Sequence, residues 1–224
     1  MALNLLSGGA AQALVGRMKG SREVQGTFGA VGAMRDKLLG GEPCDVVILT
    51  QALIDALTQQ GHVVPGSAMP LGVVKTGVAV KQGDPHPDVS TRDALKAALL
   101  RAPGIYFPDP ERATAGIHFM KVLKELGVAD AKKDGLRTYP NGATAMGEMA
   151  KAGEAGVIGC TQVTEILHVA GVELVGLLPK EFELATVYTA AVCTKARSPG
   201  DAREFVRLLA GDEAAAARAA CGFE

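Results

Sequence analysis

Two short stretches near the amino terminus carry residue types suited to binding an anion. Ser7-Gly8-Gly9 and Ala30-Val31-Gly32 each follow an apolar run and precede an amphipathic one. Read as strand-to-helix turns, they set two helix amino termini side by side at one sheet edge. Free backbone N–H groups and the positive end of the helix dipole attract negative charge at such a place. Ser7 offers a hydroxyl there, either to the anion or as a helix cap. Arg35, one turn into the second helix, can reach a carboxylate; its alternative is an ion pair with Asp36 or Glu42. The glycines alone can serve only to permit tight turns, but repetition of the pattern along the chain favours a ligand site.

Other chemistries are excluded by spacing. No Ser/His/Asp or Cys/His arrangement marks a nucleophile, and no His/Cys/Asp/Glu cluster has metal-ligand spacing. The glycine turns match neither a P-loop nor GxGxxG. We therefore expect no metal and no cofactor. Cys44, Cys160, Cys193 and Cys221 lie far apart without a CxxC and demand no disulfide framework. The net charge of −1, with no Lys/Arg block, argues against a nucleic-acid or acidic-membrane partner. No apolar run approaches the ~20 residues that span a bilayer, so no membrane insertion is expected. Apolar residues make up 48% of the 224, with 28 Gly and no Trp, a composition that suits a compact α/β protein.

The elements that must position these groups follow from periodicity. A strand begins at Leu3 and is broken at Ser7. Val24–Ala30 and Asp45–Thr50 are the next strands, each leading into a helix. Leu71–Val80 is a long strand-like run. Ser90 is expected to cap a helix, with Asp93 completing a variant capping box. Gly104–Pro108 is a strand, and Thr114-Ala115-Gly116 opens a helix closed by Gly127. Residues 129–135 read as solvated loop. Leu136–Pro140 is a strand, 142–153 a helix, 155–161 a buried strand, 163–168 a short helix and 172–178 a strand. Leu184–Cys193 is a second long run, and Ser198-Pro199 starts a helix with Pro in its first turn. Strands alternate with helices throughout, the pattern of α/β with mostly parallel sheets. The two long runs, near 78 and near 187, read as crossings between lobes. They predict a discontinuous first lobe (1–78 plus 187–224), a second lobe (79–186), a ligand cleft between them and hinge closure. With a strand beginning at Leu3 and no leader pattern before it, the expected location is cytoplasmic, or periplasmic for an exported protein whose signal has been removed.

The order of motifs resembles the periplasmic molybdate-binding protein family, the two-lobed (type II) solute-binding components of ATP-binding-cassette transporters. The matching stretches are LLSGGAAQAL (5–14), TFGAVGAMRDKLLGGEPCDVVILT (27–50), YFPDPERATAGIHF (106–119), GEAGVIGCTQVTEI (153–166) and the terminal GFE. The resemblance implies an inter-lobe site that grips a small anion, with a permease as partner only where the protein is exported. It also implies serine hydroxyls at the first two turns and a tyrosine on a second-lobe strand. This chain has Gly9, Val31 and Gly159 at those positions. Three missing hydroxyls weigh against molybdate, since a buried anion needs a nearly complete donor set. Smaller side chains also imply room, so the expected ligand is a larger small-molecule anion, an organic carboxylate. TQVTE (161–165) is similar to the branch of the superfamily that includes aconitate isomerase. That similarity implies an alternative: a cytosolic isomerase that moves a proton on a small unsaturated acid.

The ligand-binding candidates are therefore Ser7, Gly8, Gly9, Ala30, Val31, Gly32, Arg35, Thr114, Ala115, Gly116, Asn141, Thr161 and Gln162. Thr161 and Gln162 follow a buried strand at its carboxyl end, where ligands of open α/β sheets sit. Gln162 both donates and accepts. Thr114–Gly116 is an ordinary helix start or, as the resemblance implies, a second-lobe ligand turn. Proton transfer requires a base; Glu165, His118 and Tyr139 are the catalytic candidates, with His168 and Cys160 nearby. Beside Phe119, His118 also reads as a structural histidine, and Cys160 as a small buried hydrophobe.

Overall fold

The computed structural model describes residues 2–20 and 22–224. The chain divides into two compact units, Met1–Val74 with Thr186–Glu224, and Lys75–Ala185. Along the chain come β1 (Leu3–Gly8), α1 (Gln12–Met18), β2 (Val24–Gly29), α2 (Val31–Leu39), β3 (Val46–Thr50) and α3 (Gln51–Gln59). β4 (Met69–Lys81) carries the chain out of unit one. Unit two then holds α4 (Arg92–Arg101), β5 (Ile105–Pro108), α5 (Thr114–Glu125), α6 (Val128–Ala131), β6 (Leu136–Tyr139), α7 (Gly142–Ala150), β7 (Ile158–Gln162), α8 (Val163–His168) and β8 (Val172–Leu177). β9 (Ala185–Val192) returns to unit one, which ends with α9 (Pro199–Ala210) and α10 (Ala215–Ala220).

In unit one, β1 lies between β2 and β3, parallel to both, with Leu3 opposite Val24 and Leu5 opposite Val46. β9 runs antiparallel to β3, pairing Val46 with Val192 and Thr50 with Tyr188. Val46–Leu49 are fully buried, as expected for a strand covered on both faces. Ala202, Phe205, Val206 and Leu209 of α9 fall on one helical stripe and join Leu5, Leu14, Ile48 and Ile54 in the core. The expected break at Ser7 does not occur. Ser7 and Gly8 stay in the ladder, opposite Phe28 and Gly29, and the Ser7 hydroxyl donates to the Gly8 carbonyl at 2.8 Å. A fully buried hydroxyl satisfied within its own strand has no reason to leave it.

Two devices close this unit. The terminal Glu224 exchanges backbone bonds with Val73, at 2.7 and 2.8 Å, with Phe223 buried beside it. The Asp45 carboxylate, 1% exposed, accepts from the Asn4 amide (2.8 Å), Asn4 Nδ2 (3.2 Å), the Arg197 amide (2.6 Å) and the Ser198 amide (3.2 Å). It ties β1 and the start of β3 to the entry of α9.

In unit two, β5 lies between β6 and β7, parallel to both, while β7 and β8 pair antiparallel with β4. The antiparallel pairs all involve β4 or β9, the strands by which the chain passes between units. The remaining pairs are parallel, so the class is α/β. Phe107 meets Phe119 edge-on, ring centroids 5.5 Å apart, on one side of the sheet, and Tyr106, Met146 and Met149 pack on the other. Three local expectations are corrected. Thr91, not Ser90, caps α4, accepting from the Ala94 amide at 3.2 Å, while Ser90 donates to Asp88. Residues 128–131 and 133–135 are helical turns rather than open loop, because Val128 is buried and anchors the first of them. α7 stops at Ala150, and β7 starts only at Ile158.

Candidate functional site

In unit one, the carboxyl ends of β1, β2 and β3 each lead directly into a helical turn. Gly9–Ala11 follows β1, α2 follows β2 through Ala30, and α3 follows β3 through Thr50. None of these three starts carries a side-chain cap. Ala30 and Val31 are buried, and Gly9 and Gly32 are partly open. Ser7 is buried in the strand and does not cap the turn. The Arg35 guanidinium is bound to its neighbour Asp36 at 2.7 Å, both side chains well exposed. Gln51, at the start of α3, accepts a hydrogen bond from Thr189 of β9 at 2.5 Å, which ties the turn after β3 to β9.

Unit two concentrates its polar groups at the carboxyl end of β7. The Thr161 hydroxyl donates to Glu165 Oε2 at 2.6 Å, and the amides of Gly142, Ala143 and Gln162 donate to the same carboxyl. Glu165 is 6% exposed. The first two amides of α7 thus meet an internal carboxyl group, while Asn141 accepts from the third, at Thr144. Asn141 caps α7, and Glu165 holds that helix start against β7.

Gln162 has the opposite standing. It is 2% exposed, and neither its Nε2 nor its Oε1 has a partner. Thr76, its register partner on β4, and Thr164, in the first turn of α8, are each 1% exposed with unpartnered hydroxyls. Four buried polar atoms without partners are gathered at one end of β7. Such groups are expensive to leave unmade and call for a partner of their own.

The other candidates lie on neighbouring elements of unit two, several with partners of their own. Thr114, Ala115 and Gly116 open α5 behind an uncapped Ala113, and Gly116 lies hard against the carbonyls of Pro108 and Asp109. His118 Nε2 bonds the Phe182 carbonyl at 2.8 Å, which makes it structural. Tyr139 stacks on Tyr106 with centroids 5.9 Å apart, and burial raises its hydroxyl's pKa. Cys160 is fully buried, and burial holds its thiol well above the ordinary range; His168 is exposed. The room expected at Gly159 is occupied by this chain itself: a Cβ there would meet Met149 Sδ at 2.8 Å, with Met146 as close. Thr76 carries no sequence signal, and only the pairing of β4 with β7 brings it forward; Thr164 lies within TQVTE but is not among the candidates above. Among the described residues no His/Cys/Asp/Glu group could hold a metal, and no helix is long and apolar enough to cross a membrane.

Burial raises the Glu165 pKa, opposed by the Thr161 hydroxyl and the three amides. The folded chain then holds this proton more tightly than the unfolded one. Its stabilising contribution is complete below the ordinary carboxylate value of 4.5 and is lost as pH rises through the raised one. Glu165→Gln removes the titration. The variant's stability relative to wild type should improve as pH rises from about 4.5 through the raised value and then level off, whatever its absolute offset from the crowded amides. Urea unfolding of both proteins across that range checks this; a constant difference would show that Glu165 does not carry the proton.

The family of bacterial extracellular solute-binding proteins matches residues 11–224. Aconitate isomerase from a Pseudomonas species is 31% identical over 186 residues, which are 83% of this chain and 69% of that protein. The periplasmic molybdate-binding protein of Azotobacter vinelandii superposes with a TM-score of 0.79 at 20% identity, covering 99% of this chain and 98% of that one. The sulfate-binding protein SubI of Mycobacterium tuberculosis gives 0.73 at 16% identity, covering 100% and 86%.

Proposed function

The chain belongs to the bacterial extracellular solute-binding protein family, and from that premise we propose that it binds a small organic carboxylate. The observation that carries this reading is the set of unpartnered atoms on Thr76, Gln162 and Thr164. They are neutral groups that donate and accept. A fully deprotonated oxyanion such as sulfate only accepts, so it would leave the Gln162 carbonyl oxygen unmatched. An organic acid carrying an O–H or a protonated carboxyl beside its carboxylate matches both ends of the amide. Gly9, Val31 and Gly159 lack the hydroxyls that the molybdate-binding resemblance implies, which points the same way. Where the chain is exported, delivery to a transporter permease follows from this reading.

A thermal-shift screen against molybdate, tungstate, sulfate, phosphate and a panel of di- and tricarboxylates tests it. A ligand at a hundred times its Kd stabilises by about 2.7 kcal/mol. A shift with an inorganic oxyanion and none with carboxylates rejects the proposal. With the best carboxylate, Gln162→Ala should weaken binding roughly 10- to 100-fold by calorimetry, the worth of one or two buried hydrogen bonds. Unchanged affinity would remove Gln162 from the site.

The aconitate isomerase relative favours a second reading, an isomerase that moves a proton on an unsaturated carboxylic acid. Glu165 is the candidate that fits proton transfer, since burial raises its pKa above the ordinary carboxylate value and it adjoins Gln162 through Thr161. Proton NMR of the bound carboxylate in deuterated water distinguishes the two. Exchange of the ligand's carbon-bound protons or movement of its double bond supports catalysis; an unaltered ligand leaves binding alone.

A further inference from the structure

We propose that Cys44 and Cys193 are an oxidisable pair that closes into a reversible disulfide. Their sulfurs lie 3.4 Å apart although the residues are 149 positions apart in sequence. The antiparallel pairing of β3 with β9 brings them together: the Cys193 amide donates to the Asp45 carbonyl, one residue beyond Cys44. The Cys193 thiol donates to Cys44 Sγ, and the Cys44 thiol donates to the Val46 carbonyl at 3.1 Å. Both side chains are therefore already turned toward one another.

The pair also has an approach. Cys44 and Cys193 line a cavity of about 90 Å³ together with Glu42, His62 and Lys195. That volume admits a molecule the size of water or hydrogen peroxide. Cys44, 6% exposed against 2% for Cys193, is the more accessible sulfur. The Cys44 sulfur attacks a peroxide oxygen, the O–O bond breaks, and the departing hydroxide takes the thiol proton and leaves as water. Cys193 then attacks the Cys44 sulfur of the resulting sulfenic acid. The S–O bond breaks, and the oxygen leaves as a second water carrying the Cys193 proton. Two thiols lose two electrons, and one peroxide becomes two waters. The hydrogen bond that Cys193 donates to Cys44, burial and the nearby Cys44 and Asp45 all hold the Cys193 proton on, so the second step follows activation of Cys44 rather than competing with it.

The bond would join the two separate chain segments of unit one, and the loop it closes contains all of unit two. Long loops gain most from cross-linking in the chain-entropy account. Cys160 and Cys221 are buried elsewhere and have no sulfur neighbour among the described hydrogen bonds.

The test uses the full chain, treated in one arm with hydrogen peroxide in the folded state. In the other arm it is refolded from the reduced, unfolded state in a glutathione redox buffer. Each product is then denatured, alkylated with iodoacetamide and mapped by mass spectrometry. The expected product carries two adducts instead of four and one cross-linked peptide pair joining Cys44 to Cys193, restored to four by reductant. Its thermal midpoint should exceed that of the reduced chain by roughly 10 °C, and Cys44→Ser and Cys193→Ser should each abolish that rise. A disulfide formed only on refolding supports the pair, its thiols being shielded once folded. Four adducts in both arms, an added oxygen without a cross-link, or a bond to Cys160 or Cys221 overturns it.

Discussion

Gly142→Ala should destabilise the protein by about 3–5 kcal/mol, an overpacking cost joined to that of buried amides left without an acceptor. A methyl group at position 142 would fall inside contact distance of both Glu165 Oε2 and Thr161 Oγ1. Neither can retreat. Thr161 is fully buried in β7, and the Glu165 carboxyl is held by three amides as well as by that hydroxyl. Moving the carboxyl away strands the amides of Gly142 and Ala143 at the start of α7. Helix propensity works in the opposite direction, since alanine is favoured over glycine by up to about 1 kcal/mol, so the clash decides the sign. Urea unfolding measures the loss. Ligand affinity should fall with it, because β7 ends at Gln162, between the two residues displaced. A variant as stable as wild type would show that the carboxyl has another place to go.

Asp45→Ala is the second large effect, again about 3–5 kcal/mol, from several donors left without their charged acceptor, and it acts in unit one. The carboxylate is the shared acceptor for four donors on two segments, Asn4 and residues 197–198. Alanine leaves those donors buried or partly buried without an acceptor. For a chain of this size the midpoint should drop by roughly 10 °C. Asp45→Asn keeps one accepting oxygen and should lose about half as much. Hydrogen exchange separates this from a general loosening: the Arg197 and Ser198 amides should lose protection first, before those of β3. Equal loss across the unit would show that Asp45 is not the local anchor.

Much of the architecture was legible from residue order alone. Strands, helices and their alternation are written in short-range periodicity, and Val163–His168 is a helix in both readings. Both long runs are strands, β4 over 13 residues and β9 over 8, since the β-branched residues Val and Thr occur in each. Local hydrogen-bond choices were less legible. Ser90 and Thr91 are both capable caps, and Asp88 decided between them by taking the Ser90 hydroxyl. Ser7 looked like a cap because serine before glycine often is one; the pairing of β1 with β2 and β3 kept it in the strand.

The candidate site divides along the same line. Thr161, Gln162 and Glu165 stand out in the sequence, since a polar cluster after a buried strand marks the end of an α/β sheet. Their roles do not stand out. Whether Glu165 is a base, a cap or an ion-pair partner depends on Gly142 and Ala143, 23 and 22 positions earlier in the chain. Gly159 looked like vacant space, and α7 filled it with Met146 and Met149. Cys44 and Cys193 looked unrelated, and antiparallel β3 and β9 put their sulfurs side by side. The sequence by itself determined the element order, the α/β class and the solute-binding resemblance, because these rest on hydrophobic period and turn residues a few positions apart. Tertiary structure alone decided which polar groups are spent on one another and which, like Gln162, remain unpaired. Hydrogen-bond satisfaction is a contest among neighbours in space, and most of those neighbours are far apart in the chain.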